Sequence, residues 1–140
     1  MARAQYLADT SVFARMSKVI VASAVAPLVA QGQVAVCAPV MFELGYSARN
    51  RVDYEAIMSR LEAFERVPVT DDDQGRALEV QHLLARRGHH HRGLSLVDAL
   101  VAAAAENRGL TVLHYDADFE LVAKLTGQAH KWIVRRGTAD

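Results

Sequence analysis

Short apolar runs alternate along the chain with longer runs whose apolar residues recur at helical spacing. This alternation is typical of a parallel sheet covered by helices. It predicts five short strands, at residues 5–8, 34–38, 67–70, 111–115 and 131–134. Because crossovers between parallel strands are nearly always right-handed, we expect an α/β fold, a three-layer α/β/α sandwich with a mainly parallel central sheet.

The longer runs predict helices, and several of them carry start signals. The predicted helical segments are residues 10–30 (one or two helices), 40–49, 53–64, 72–87, 96–107 and 117–125. Pro39 suits a first helical turn, where its missing N–H has no partner to lose. Thr70 followed by Asp73, and Ser95 followed by Asp98, resemble capping boxes, which pair the free N–H groups at a helix start.

Composition indicates one globular domain, which we expect to cover residues 1–140. Of the 140 residues, 51% are hydrophobic and 23% are charged, so the chain can bury a core and is not disordered. The 16 basic residues balance 16 acidic ones. This balance excludes bulk binding to polyanions and limits any nucleic-acid contact to a local patch.

Cysteine content and hydropathy favour a cytoplasmic protein. Cys37 is the single cysteine, so the chain can form neither an internal disulfide nor a multi-cysteine zinc site, and a reducing compartment suits it. The longest apolar stretch, residues 19–30, is shorter than the roughly 20 residues that span a bilayer. We therefore expect no membrane-spanning segment.

Four acidic residues fall where a parallel sheet binds ligands, at the carboxyl ends of its strands. Asp9 directly follows the first predicted strand and Asp116 follows the fourth. Glu43 lies in the second turn of the helix after the second strand, and Asp98 lies in the first turn of the helix before the fourth. That last helix is apolar on all sides and therefore buried, so the Asp98 carboxylate needs compensation.

Four converging carboxylates suit Mg²⁺ or Mn²⁺ better than Zn²⁺, because hard cations prefer oxygen ligands. Such an ion relieves the repulsion among the acids and neutralises charge on a phosphodiester under attack by water. Each acid also has a structural explanation. Asp9, Asp98 and Asp116 suit helix caps, and Glu43 suits a solvated helix face.

Residues 7–11 (LADTS), Glu43, residues 96–99 (LVDA) and residues 112–119 (VLHYDADF) together resemble the PIN domain. In detail they resemble VapC-type toxins of bacterial toxin–antitoxin pairs. The resemblance covers nearly the whole chain in order, spacing and size. It implies a Mg²⁺-dependent (or Mn²⁺-dependent) endoribonuclease whose catalytic and metal-binding residues are Asp9, Glu43, Asp98 and Asp116, with Asp118, Thr10 and Ser11 as auxiliary residues.

The same resemblance implies two kinds of protein partner, a second copy of the chain in a homodimer and a VapB-type antitoxin. Residues 20–29 and 54–64 are apolar enough to form a groove for an antitoxin helix, although core packing is the commoner explanation for such stretches. Two other functions stay open. One is a PIN-like binding module that has lost catalysis, and the other is a housekeeping RNA-processing nuclease without an antitoxin.

A basic run precedes the Asp98 helix and is a candidate RNA contact. It comprises Arg86, Arg87, three histidines at residues 89–91, and Arg92. Guanidinium groups pair with phosphates in a forked geometry, and imidazoles stack on bases. The alternative is a solvated connection with no ligand.

Overall fold

The computed structural model describes residues 4–88 and 90–140, and these form a parallel sheet flanked by helices. The strands are β1 (Tyr6–Ala8), β2 (Val34–Cys37), β3 (Glu65–Val67), β4 (Thr111–His114) and β5 (His130–Trp132). Their order in the sheet is β3-β2-β1-β4-β5, and each strand runs parallel to its neighbours. The predicted α/β architecture is confirmed.

The helices follow the predicted segments with shifted ends. They are α1 (Thr10–Phe13), α2 (Val19–Ala30), α3 (Ala38–Tyr46), α4 (Arg51–Leu61), α5 (Asp71–Ala85), α6 (Leu96–Asn107) and α7 (Asp118–Thr126), with a 3-10 helix at His90–Gly93. The segment 10–30 is thus two helices. Helix α4 begins before the predicted residue 53 because the Asn50 side chain accepts a hydrogen bond from the Asp53 N–H and caps the helix there.

Two predicted strands were misplaced. The third strand ends at Val67 rather than extending to Thr70, because Pro68 has no N–H for the ladder and Thr70 is the N-cap of α5. The last strand begins at His130 and ends at Trp132, because its register places His130 opposite Val112 and Trp132 opposite His114.

Alternation along the strands sends successive side chains to opposite faces of the sheet. Leu7 and Val112 pack into one apolar cluster with residues of α3, α5, α6 and α7. Ala8 and Leu113 pack into a second cluster with Val21 of α2. The sheet is therefore covered on both faces, as a three-layer sandwich requires. None of the helices in the described ranges combines the length and hydropathy of a bilayer crossing.

The strand order creates a crevice between β1 and β4. The chain leaves β1 towards β2 and β3 on one side, and returns to β4 and β5 on the other. In open parallel sheets such a reversal of strand order separates the loops at the carboxyl ends of the two central strands, and ligands bind there. Asp9 and Asp116 are on those two loops.

Asp73 connects α5 to the end of α6 and completes the predicted capping box. Its carboxylate accepts hydrogen bonds from the Thr70 N–H (2.8 Å), the Asn107 amide (2.7 Å) and the Arg108 guanidinium (3.1 Å). Burial alone would raise the pKa of Asp73, but these donors and the charge of Arg108 outweigh it and lower the pKa.

We expect Asp73→Ala to lower the free energy of unfolding by about 3 kcal/mol, because it leaves Arg108 without its buried partner. The control is Asp72→Ala, which removes an exposed acid from the same helical turn. Urea denaturation of both variants measures the difference. Equal losses of stability in the two variants would contradict the assigned role.

Candidate active site

Asp9 directly follows β1 and is the N-cap of α1. Its N–H donates to the Leu113 carbonyl (2.9 Å), which anchors the residue to β4. Its Oδ2 accepts a hydrogen bond from the Ser11 N–H (3.0 Å) and so caps α1. The residue is 2% exposed, and its buried Oδ1 atom has no hydrogen-bond partner. Since buried carboxylate oxygens are normally paired, the free Oδ1 indicates a ligand.

Asp116 reaches the same place from β4. The Tyr115 N–H donates to the Ser11 hydroxyl (2.9 Å), which ties the loop after β4 to the loop after β1. The Oδ1 atom of the half-buried Asp116 accepts a hydrogen bond from the N–H of Asp118, two residues further along the chain (2.9 Å). The second carboxylate oxygen is left for other partners.

Asp98 completes the group from the first turn of α6. The Ser95 hydroxyl accepts a hydrogen bond from the Asp98 N–H (3.1 Å), so Ser95 caps α6, and this is one of the two bonds of the predicted capping box. The carboxylate itself points into the crevice, where oxygen atoms of Asp9, Asp98 and Asp116 all lie within 4.8 Å of one another. In the part of the chain that the structure describes, this is the one acidic group with metal-ligand spacing.

Burial and like charge disfavour ionisation of Asp98, Asp9 and Asp118. Burial, followed by the charges of Asp9 and Asp116, raises the pKa of Asp98 to about 8. Burial also raises the pKa of Asp9 despite its hydrogen bonds with Ser11. The pKa of the neighbouring Asp118 is raised by burial and by the charges of Asp116 and Asp9. A divalent cation would offset all three effects.

The donor set fits Mg²⁺ or Mn²⁺. Every available ligand atom is a carboxylate oxygen, which hard cations prefer, and the unpaired Oδ1 of Asp9 faces no protein donor. Cys37, at the end of β2, does not add a soft ligand, because burial raises the pKa of its thiol to about 11.

Glu43 lies outside the three-carboxylate group and is connected to it through Thr10. The Thr10 hydroxyl donates to Glu43 Oε1 (2.6 Å), which links α1 to the middle of α3. Both predicted auxiliary hydroxyls therefore already have protein partners, Thr10 with Glu43 and Ser11 with Tyr115.

The basic run precedes α6, the helix that carries Asp98, in the chain. Arg86 and Arg87 follow α5 and are exposed, as is Arg92 in the 3-10 helix. Residue 89, the first of the three histidines, lies outside the described residues. Arg92, the last residue of the run, comes three residues before Ser95, the N-cap of α6.

His114 has a place beside the site that the sequence pattern did not predict. This histidine is fully buried in β4, and its Nδ1 accepts a hydrogen bond from the Asp116 N–H (3.1 Å). Burial, together with the charge of nearby His130, lowers the pKa of His114 to about 4, so the ring is neutral at neutral pH. A histidine directly after the apolar pair Val112 and Leu113, in a strand predicted to be buried, was the available signal.

Comparison with known proteins identifies the family. The model of the PIN domain matches residues 6–125. The chain belongs to the PIN-domain family. It is 48% identical over 97% of its length to Ribonuclease VapC51 of Mycobacterium tuberculosis, of which it covers 98%. This identity places it in the VapC group and confirms the resemblance inferred from its motifs.

Solved structures of PIN-domain proteins agree with the fold. VapBC2 from Rickettsia felis, bound to a promoter DNA fragment, aligns with a TM-score of 0.74 at 15% identity, covering 91% of this chain and 98% of that one. VapBC-5 of Mycobacterium tuberculosis, from the VapBC family of toxin-antitoxin systems, aligns with a TM-score of 0.58 at 26% identity, covering 91% and 96%.

The raised pKa of Asp98 predicts a pH-dependent stability in the absence of metal. In the folded chain the Asp98 carboxyl group keeps its proton up to about pH 8, whereas in the unfolded chain it loses the proton above about pH 4. Because the folded state binds this extra proton between the two values, the free energy of unfolding falls as the pH rises towards 8. We expect Asp98→Asn, measured in EDTA, to melt several degrees above the unchanged chain at pH 8 and to show little difference at pH 4.

Melting curves across this pH range test the prediction, with the exposed Asp72→Asn as the control. A difference that stays constant with pH would show that Asp98 does not titrate as the geometry requires.

Proposed function

We propose that this PIN-domain protein is a Mg²⁺- or Mn²⁺-dependent endoribonuclease that acts as the toxin of a toxin–antitoxin pair. The observation that carries the proposal is the group of three carboxylates, Asp9, Asp98 and Asp116, within 4.8 Å of one another in the crevice between β1 and β4. Burial and like charge make Asp98 hard to ionise, and groups perturbed in this way are typical of active sites. Metal-dependent nuclease chemistry accounts for such a group of carboxylates.

Asp9, Asp98 and Asp116 would hold the metal, and Glu43 would complete the site from α3. The bound ion supplies a lower pKa for a water molecule and charge neutralisation at the phosphodiester. Asp9 keeps Oδ2 on the Ser11 N–H and offers Oδ1. Glu43 accepts a hydrogen bond from the Thr10 hydroxyl, which leaves the Thr10 oxygen free to accept a further hydrogen bond at the edge of the site.

Water is the attacking group in this proposal. The thiol of Cys37 stays protonated because burial raises its pKa to about 11. The Ser11 hydroxyl accepts a hydrogen bond from the Tyr115 N–H. Asp118 lies at the outer side of the cluster, half-buried, where its carboxylate adds negative charge next to Asp116.

The partner we propose is a VapB-type antitoxin, with a second copy of the chain forming a homodimer. Of the apolar residues in the two predicted groove segments, Val21, Val25 and Leu61 are buried in the core. Exposed apolar side chains also lie in and beside those segments, on α2, α3 and α4. They are Val19, Ile20, Val29, Phe42, Tyr46, Val52 and Tyr54. These side chains offer the apolar surface that a partner helix needs.

We favour a cytoplasmic toxin over an inactive binding module and over a housekeeping nuclease. An inactive binding module has no need of three clustered acids whose repulsion costs stability. A housekeeping nuclease would share the site, so the partner distinguishes it: only the toxin is inhibited by a stoichiometric antitoxin.

Asp9→Asn and Asp98→Asn should each lower Mg²⁺-dependent cleavage of RNA by about 10²- to 10³-fold, as expected when one part of the electrostatic stabilisation is removed. Cleavage of a labelled RNA with Mg²⁺ or with EDTA is the measurement, and Asp72→Asn is the control. Undiminished cleavage by both variants would refute the proposal.

Binding linkage also predicts that Mg²⁺ raises the melting temperature of the unchanged chain but not of Asp98→Asn.

The basic run should contribute to RNA affinity by neutralising phosphates. Replacing Arg86, Arg87 and Arg92 together by Ala should reduce the slope of log affinity against log salt by about 0.7 for each phosphate that an arginine neutralises. The measurement uses catalytically inactive Asp98→Asn as the background. Arg51→Ala, an exposed arginine on α4, is the control. An unchanged slope would place the RNA elsewhere.

A further inference from the structure

We propose that His114 is a positioning residue that holds the backbone of Asp116 in place for metal binding, and that His130 in turn holds His114. This inference rests on the proposed function, because it concerns the same metal site. The two histidines form a chain of hydrogen bonds that runs from β5 through β4 to the Asp116 amide.

The hydrogen bonds of His114 define which ring nitrogen carries the proton. The Asp116 N–H donates to His114 Nδ1 (3.1 Å), so Nδ1 is unprotonated. The proton of the neutral ring is then on Nε2, which lies 2.9 Å from His130 Nδ1. His114 therefore donates to His130 while it accepts from Asp116.

Aromatic neighbours hold the His114 ring on several sides. Its centroid lies 5.0 Å from that of Phe119, 5.0 Å from that of Trp132 and 5.1 Å from the stacked ring of His130. Phe119 belongs to α7, and the other two residues belong to β5. The ring thus has little freedom, and the direction of the Asp116 N–H is fixed with it.

The direction of that N–H matters because the nitrogen is bonded to the Cα atom that carries the Asp116 side chain. A loop that turns at this nitrogen moves the carboxylate relative to Asp9 and Asp98. Residues that orient metal ligands in this way typically change metal affinity by about 10- to 100-fold when they are replaced.

Two substitutions separate positioning from packing. His114→Asn places its Oδ1 where Nδ1 was, so it keeps an acceptor for the Asp116 N–H and removes the bond to His130. His114→Gln keeps a donor near Nε2 and removes the acceptor for Asp116. Both variants remove the ring and its aromatic contacts, so a purely structural role predicts equal effects.

Calorimetric titration with Mn²⁺ alone, without RNA, measures the outcome. We expect His114→Gln to weaken Mn²⁺ binding by about 10- to 100-fold, and His114→Asn, which keeps the acceptor for the Asp116 N–H but loses the bond to His130, to weaken it less. The control is Val25→Ala, which removes packing from the opposite face of the sheet and should leave Mn²⁺ binding unchanged. Equal weakening in Gln and Asn variants of His114 overturns the proposal.

A second pair of variants serves if those of His114 do not fold. His130→Asn keeps an acceptor for the His114 Nε2–H, and His130→Leu removes it at a half-buried position. We expect weaker Mn²⁺ binding only in the Leu variant, and unchanged binding there overturns the proposal. Imidazole nitrogen NMR on the unchanged chain adds a direct test, since a proton on His114 Nδ1 contradicts the hydrogen-bond pattern.

Failure of this inference is distinguishable from failure of the proposed function. If the unchanged chain binds Mn²⁺ and Asp98→Asn does not, the metal site stands, and normal binding by His114→Gln overturns the positioning role alone. If the unchanged chain binds no Mn²⁺, the proposed function and this inference are both overturned.

Discussion

The fold holds three carboxylates close together, and two of them are buried. Asp9 and Asp98 are only 2% and 9% exposed, and their oxygen atoms lie within 4.8 Å of each other and of Asp116. Burial and like charge both act against ionisation of Asp98 and raise its pKa to about 8. A fold keeps such a destabilising arrangement where chemistry needs it.

Strand order brings these acids together. Because β1 and β4 are neighbours in the sheet, hydrogen bonds join the residues at their ends, from the Asp9 N–H to the Leu113 carbonyl and from the Tyr115 N–H to the Ser11 hydroxyl. Helix α6 contributes Asp98 and is buried between the sheet and the helices α5 and α7, with four buried alanines at residues 102–105. The site therefore has rigid support from both the sheet and α6.

Capping and metal binding are compatible roles for the same aspartate. Asp9 uses one carboxylate oxygen to cap α1 and leaves the other unpaired, while Asp98 donates its backbone N–H to the Ser95 hydroxyl and places a carboxylate oxygen near Asp9 and Asp116. The capping explanation therefore holds for both residues and leaves oxygen atoms available to a metal. A helix N-terminus also favours the negative charge that a cation site needs.

Local pattern in the sequence determined the element types, the parallel sheet, the caps at Thr70 and Ser95, and the loops that hold Asp9 and Asp116, because these follow from short-range periodicity and capping chemistry. Tertiary structure alone decided the distances among the acids, the separate place of Glu43 beside Thr10, and the contact of His114 with the Asp116 amide. It also shifted β3 and β5, whose ends depend on pairing with β2 and β4. Strand register and side-chain contacts join residues far apart in the chain, so no local pattern encodes them.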